Sequence, residues 1–157
     1  MRAAPLLPLL LAACATGPAD LPARLLAVDA AERAAVGVPP LRWDPALAAE
    51  ADRWARRLAA TGRLAHEPGI GDGENRRGEN LWTGTRGAYT VESMARAWAA
   101  EGAAFRAGAR DLARTGHYTQ MVWRGTEALG CALASGAADV LVCRYSPPGN
   151  SAGRAPF

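Results

Sequence analysis

Apolar residues recur at helical spacing in two segments near the start of the chain. The first predicted helix, Ala23–Val36, ends before Gly37 and two prolines that cannot continue it. For the second helix, Asp44 is a suitable N-cap, Pro45 fits the first helical position, and Gly62 ends the segment. The apolar face of this second helix consists of Leu47, Ala51, Trp54, Ala55 and Leu58.

The middle of the chain carries weaker patterns. Residues Glu67–Gly78 are rich in glycine and polar side chains and predict a loop. A third helix is predicted from Thr90, as its N-cap, to about Glu101. The pattern over Gly102–Thr115 is ambiguous, and His117–Trp123 fits either a short helix or a strand.

Two strand-like runs, Leu129–Ser135 and Val140–Ser146, flank a short turn and predict a β-hairpin. If the turn centres on Ala137, Cys131 lies opposite Cys143, so a cross-strand disulfide is geometrically reasonable. Two buried free thiols are the alternative, and a zinc site is disfavoured because no Cys/His cluster is present. Helices followed by a terminal hairpin predict an α+β fold.

The first residues predict an export signal. Residues 1–13 combine one positive charge with a short apolar run, and no membrane span of sufficient length is present. Leu11-Ala12-Ala13-Cys14 resembles a bacterial lipobox, which implies lipidation of Cys14 and a membrane contact made only through that lipid. The alternative is a plain signal peptide in which Cys14 has no special function.

Composition excludes several classes of protein. With 50% hydrophobic and 21% charged residues, the 157-residue chain has enough apolar side chains for a core. The net charge is +3, and arginines alternate with acidic residues instead of forming a patch, so no nucleic-acid partner is expected. Familiar catalytic signatures are absent, and His66-Glu67-Pro68-Gly69-Ile70 lacks the second histidine of a zinc-protease motif.

Only two imidazoles, His66 and His117, are available for acid–base or metal chemistry near neutral pH. Glu79 lies between a polar loop and apolar residues, and Glu101 closes a helix where its charge is locally unfavourable. Each of the four also has a purely structural interpretation from spacing alone.

Two long motifs are specific enough to indicate a protein family. Residues Gly116–Thr126 and Val140–Asn150 resemble the two signatures of the CAP superfamily, which includes cysteine-rich secretory proteins, venom antigen 5 and plant pathogenesis-related proteins of class 1. Gly78-Glu79-Asn80-Leu81 resembles a third family motif. The resemblance covers residues 21–150 and leaves 151–157 as a tail.

The resemblance implies an α-β-α sandwich with a small antiparallel sheet between helical layers. It also implies a central cavity lined by His66, Glu79, Glu101 and His117, and it pairs Cys131 with Cys143 as the family's hairpin disulfide. In such a cavity His66 and His117 can bind a divalent metal such as Zn²⁺, with the glutamates orienting them.

The leading hypothesis is therefore a monomeric, non-enzymatic binding module, exported to the cell envelope or the extracellular space. Its expected partner is a lipid, a glycan or a protein. One alternative is a zinc-dependent, peptidase-like hydrolase that uses Glu79 and Glu101 as catalytic groups. Another is an envelope protein whose four polar residues only stabilise the fold.

Overall fold

A computed structural model of the protein describes residues 20–71, 73 and 76–157. The predicted signal peptide at 1–13 and the predicted lipidation site Cys14 lie outside the described residues. Five helices and four strands follow one another along the described chain: α1 Leu21–Ala35, β1 Arg42–Trp43, α2 Pro45–Thr61, β2 Gly78–Thr85, α3 Val91–Ala100, α4 Gly102–Arg106, α5 Leu112–Met121, β3 Ala128–Ser135 and β4 Ala138–Ser146. No helix in this part of the chain is long and apolar enough to span a membrane.

Local signals set the ends of α2 as predicted. The Asp44 carboxylate accepts hydrogen bonds from the backbone N–H groups of Ala46 and Leu47, which satisfies two donors that a helix start leaves free. At the other end Gly62 adopts φ 65° and donates its N–H to the Leu58 carbonyl. A left-handed residue of this kind favours glycine, so the prediction of the helix end is confirmed.

The ambiguous segment after the third helix is helical. Thr90 caps α3 by accepting from the Ser93 N–H, as predicted, and Glu101 lies at the C-terminal end of that helix. Residues 102–106 form α4, and α5 includes His117, so the helical alternative for this region is the right one. Helix α1 begins two residues earlier than the sequence predicted and ends at Ala35.

The predicted hairpin is present with the predicted register. Cys131 on β3 pairs with Cys143 on β4, and the two form a disulfide, as expected. The four strands lie in the order β1-β3-β4-β2. The sheet is mixed where an antiparallel one was expected, because the two-residue strand β1 pairs with β3 in parallel.

Strand β2 had no clear signal in the sequence. It pairs antiparallel with β4 along its whole length, from Gly78 opposite Tyr145 to Thr85 opposite Ala138. Glycine and threonine interrupt its apolar pattern, so only this long-range pairing and the packing of Leu81 define it as a strand.

The sheet separates two apolar cores, because successive side chains of a strand lie on opposite faces. On one face, Val140 and Val142 pack with Leu58 and two buried alanines of α2. The other face packs against α1, α3 and α5 and contains the disulfide; its members include Leu25, Met94, Trp98, Met121, Leu141 and Tyr145. The result is the expected arrangement of helical layers on both sides of a small sheet.

Candidate functional site

The alternation of β2 divides the candidate site between the two faces of the sheet. Glu79 pairs with Arg144. Arg144 lies two positions after Val142 in β4, so its side chain is on the same face of the sheet, the one packed against α2. Asn80 pairs with Cys143, which faces α1 and α3. Edge strand β2 therefore presents Glu79 on one face and Asn80 on the other, one residue apart.

On the α2 face, Glu79 holds His66. The histidine lies in the loop that follows α2, and the Trp54 indole of that helix donates to the Ala65 carbonyl just before it. His66 Nδ1 lies 2.5 Å from Glu79 Oε1, and the Glu67 N–H donates to the same oxygen at 3.2 Å. The histidine side chain is 63% exposed, whereas the Glu79 side chain is 1% exposed.

This contact raises the pKa of His66 above its usual value. The hydrogen bond and the charge of Glu79 favour the imidazolium form, and they outweigh both the partial burial of the ring and the repulsion from Arg144. His66 is therefore an accessible imidazole held by a buried carboxylate.

On the other face, Glu101 holds His117. The Nδ1 atom of His117 lies 2.6 Å from Glu101 Oε1, and Glu101 Oε2 accepts from the backbone N–H groups of His117 and Tyr118. The imidazole stacks on Trp98 with ring centroids 6.0 Å apart, and the Asn80 amide donates to the His117 carbonyl at 3.1 Å. The unfavourable helix-end position of Glu101 is thus offset by tertiary partners.

The four predicted residues accordingly form two histidine–glutamate pairs. Within residues 20–71, 73 and 76–157, no three or more His, Cys, Asp or Glu side chains are grouped closely enough to hold a metal ion. Both glutamates contact a histidine ring and a backbone N–H group. The use of the four residues as a binding site stays a prediction.

Sequence reasoning missed one member of this site, Arg144. The side chain is fully buried in β4, donates from Nη2 to Glu67 Oε2 at 2.6 Å and places Nη1 2.9 Å from Glu79 Oε2. The contact with Glu79 is an ion pair whose angles depart from those of a hydrogen bond. The available signal was a single charge inside the otherwise apolar run from Val140 to Tyr145.

A separate cavity of about 530 Å³ lies between α4, α5 and the C-terminal residues. Its apolar lining includes Phe105, Leu112, Trp123 and Phe157. None of the four predicted site residues lines this cavity.

The fold and the two pairs define the class to which the protein belongs: a small α-β-α sandwich with a hairpin disulfide and two histidine–glutamate pairs beside an edge strand. The chain belongs to the CAP family, the cysteine-rich secretory protein family, which matches residues 28–145. The family expected from the two motifs is thereby confirmed.

Similar proteins come from plants. The chain is 39% identical over 137 residues to a pathogenesis-related protein of PR-1 type from Sambucus nigra, which covers 83% of this chain and 79% of that protein. It is 37% identical over 130 residues to pathogenesis-related protein 1A from Nicotiana tabacum, covering 80% and 74% of the two chains.

Solved structures confirm the fold. Na-ASP-1 superposes with a TM-score of 0.70 at 21% identity, covering 99% of this chain and 46% of that chain. A structure of NaASP2 with Zn²⁺ has a TM-score of 0.65 at 21% identity, covering 86% and 83% of the two chains. At this level of identity the likeness establishes the architecture alone.

Proposed function

We propose that this protein is an exported binding module whose two histidine–glutamate pairs hold a divalent cation, such as Zn²⁺, that takes part in binding an envelope or extracellular ligand. One observation carries the proposal: each imidazole is held at Nδ1 by a glutamate, at 2.5 Å for His66 and 2.6 Å for His117. Metal-ligating histidines in proteins are commonly oriented in this way, with the other ring nitrogen directed to the metal.

Exposure and charge support a cation as the first ligand. The side chains of His66 and His117 are 63% and 34% exposed, so both imidazoles are accessible to an incoming ion. The carboxylates of Glu67 and Glu79 accompany the guanidinium of Arg144 beside His66, and the carboxylate of Glu101 lies beside His117. With neutral imidazoles the site is therefore anionic, which favours a cation over an anion.

The same contacts favour binding over hydrolysis. A bound Zn²⁺ would supply open coordination positions for oxygen atoms of a ligand. A hydrolase would also need a carboxylate free to take a proton from water. Glu79 contacts His66 through one oxygen and Arg144 through the other. One oxygen of Glu101 contacts the His117 ring, and the other accepts from the His117 backbone N–H. Neither glutamate is free for that task.

Export of the chain agrees with its membership of a family described as secretory. Anchoring through Cys14 is part of the proposal and has its own test. Cells supplied with a palmitate analogue should label the protein, and Cys14→Ala should abolish the label. Secretion of unlabelled wild-type protein would reject the anchor and leave the binding proposal intact.

A zinc titration of the metal-free exported protein tests the function. We expect zinc to bind, and His66→Ala or His117→Ala each to weaken binding by at least ~10-fold, since each removes an imidazole ligand. Arg53→Ala, an exposed change on α2, is the matched control. Absence of zinc binding, or equal binding by all variants, would overturn the proposal and leave the pairs as structural contacts.

A further inference from the structure

Arg144 has no part in the proposed function, although it lies at the centre of the contacts around His66. It is fully buried in β4, and its two terminal nitrogens face the carboxylates of Glu67 and Glu79. Burying a charge is costly unless it is paired, so a guanidinium retained at this point requires both partners.

We propose that Arg144 is a positioning residue for His66: by binding Glu79 and Glu67 together, it fixes the imidazole with Nδ1 toward the protein and Nε2 toward solvent. This inference rests on the proposed function, in which Nε2 is the atom that binds the ligand or metal. Arg144 itself touches neither.

The two oxygens of Glu79 have different partners. Its Oε2 atom lies 2.9 Å from Arg144 Nη1, and its Oε1 atom faces His66 Nδ1 and the Glu67 N–H. With Oε2 committed to the guanidinium, Oε1 is the oxygen left for the imidazole. An ionised carboxylate only accepts hydrogen bonds, so the neutral histidine must carry its proton on Nδ1, which leaves the lone pair on Nε2.

Glu67 attaches the loop that contains His66 to the sheet. Glu67 follows His66 directly, and its carboxylate accepts from Arg144 Nη2 at 2.6 Å while its backbone N–H donates to Glu79. Glu67 thus connects the loop to the sheet through both its side chain and its backbone N–H. Because the Glu67 side chain is 42% exposed, this tie can be removed without opening the core.

An arginine suits position 144 better than a lysine. Two carboxylates approach two different nitrogens of one planar group. A lysine ammonium is a single point charge on a flexible stem and does not reproduce this forked geometry.

The experiment follows the nitrogen NMR signals of the His66 ring in the metal-free exported protein, at a pH where the ring is neutral, and then a zinc titration. In the wild type we expect the neutral ring to be protonated at Nδ1. Glu67→Ala removes the contact between the His66 loop and Arg144, so the share of neutral rings protonated at Nδ1 should fall. Arg144→Met removes the group that holds Glu79 Oε2, so this share should fall in that variant as well.

Zinc affinity should fall by at least ~10-fold in Arg144→Met and in Arg144→Lys, the change typical of losing an outer-shell partner. Arg24→Lys is the matched control, since Arg24 forms a bidentate pair with the single carboxylate of Glu92 between α1 and α3. It should leave the His66 signals and the zinc affinity unchanged. The His117 ring should keep its wild-type signals in all variants.

Two results would overturn the inference. One is a neutral His66 protonated at Nε2 in the wild type, and the other is a wild-type distribution of His66 tautomers in Glu67→Ala and Arg144→Lys. If Arg144→Met does not fold, the surface change Glu67→Ala still decides. Because the tautomer is measured without metal, failure of the wild type to bind zinc would reject the proposed function separately.

Discussion

Glu79 and Asn80 are consecutive residues of β2, yet each fixes a different histidine-bearing segment from its own face of the sheet. Glu79 binds the His66 ring, and Asn80 binds the backbone carbonyl of His117. A strand with a period of two places neighbours on opposite faces, so a single edge strand organises both pairs. The placement of His66 and His117 thus depends on the register of β2 against β4.

Replacing Asn80 by alanine should loosen the His117 segment. The Asn80 side chain is buried, and its amide donates to the His117 carbonyl and lies 3.4 Å from the Tyr145 hydroxyl. Loss of a buried hydrogen-bond partner should lower the free energy of unfolding by about 1–3 kcal/mol, as measured by urea denaturation. Thr61→Ala, which removes an exposed helix-end hydrogen bond, should change it by less than about 0.5 kcal/mol. Equal effects of the two changes would contradict this account.

His66 should contribute to stability in a pH-dependent way. Because its pKa in the folded protein is raised by Glu79, its stabilising contribution is complete below the unfolded pKa near 6.5 and is lost as pH rises through the folded pKa. His66→Ala should therefore destabilise the metal-free protein more at pH 5.5 than at pH 8.5 in parallel urea titrations. Leu64→Ala, an exposed neighbour that does not titrate, should show the same effect at both values.

A buried carboxyl on α1 should also make the protein less stable as pH rises. Burial raises the pKa of Asp29 to about 8, although the nearby Arg33 lowers it. Since the folded pKa lies above the unfolded value of 3.8, folding binds a proton, and the stabilising contribution falls as pH rises from about 4 through 8. Asp29→Asn should thus be more stable than the wild type at pH 9, on the order of a few kcal/mol, and similar to it at pH 4.

The Asp29 test needs thermal unfolding curves between pH 4 and pH 9. Asp52→Asn on α2 is a suitable control, because Asp52 forms an exposed ion pair with Arg56. That variant should keep the wild-type slope of stability against pH. An Asp29→Asn protein with the wild-type slope would show that another group dominates the response.

The disulfide should be a major source of stability. Cys131 and Cys143 are buried at 2% and 1% exposure in the core beneath α1 and α3, and the bridge spans 12 positions of sequence. Replacing both by alanine should cost about 2–4 kcal/mol in guanidinium denaturation, and reductant should then have no further effect. If reductant leaves the wild type unchanged even after denaturation, the bridge has not formed in the purified protein.

What the sequence predicted correctly was encoded locally. The ends of α2 depend on Asp44 and Gly62, each of which acts within four residues, and the register of the hairpin depends on a short turn. Strand β2 and the partners of Arg144 depend on pairing across more than 50 positions of sequence. No local pattern encodes such contacts, so the two long family motifs were needed to bring His66, Glu79, Glu101 and His117 into one hypothesis.

Gly130 provides a final test of how α2 is seated on the sheet. It lies on β3 opposite Arg144, and a Cβ atom there would lie 2.3 Å from the backbone nitrogen of Ala48 and 2.6 Å from the Asp44 carbonyl oxygen. Backbone atoms cannot move aside as a flexible side chain can, so Gly130→Ala must push the start of α2 off the sheet. We expect the free energy of unfolding to fall by about 1–3 kcal/mol in urea denaturation, the usual cost of overpacking.

Gly71→Ala, where a Cβ would meet nothing within 4 Å, is the matched control and should be close to neutral. Because α2 leads directly into the His66 loop, the same displacement should also weaken zinc binding, and a Gly130→Ala protein of wild-type stability would disprove the close contact.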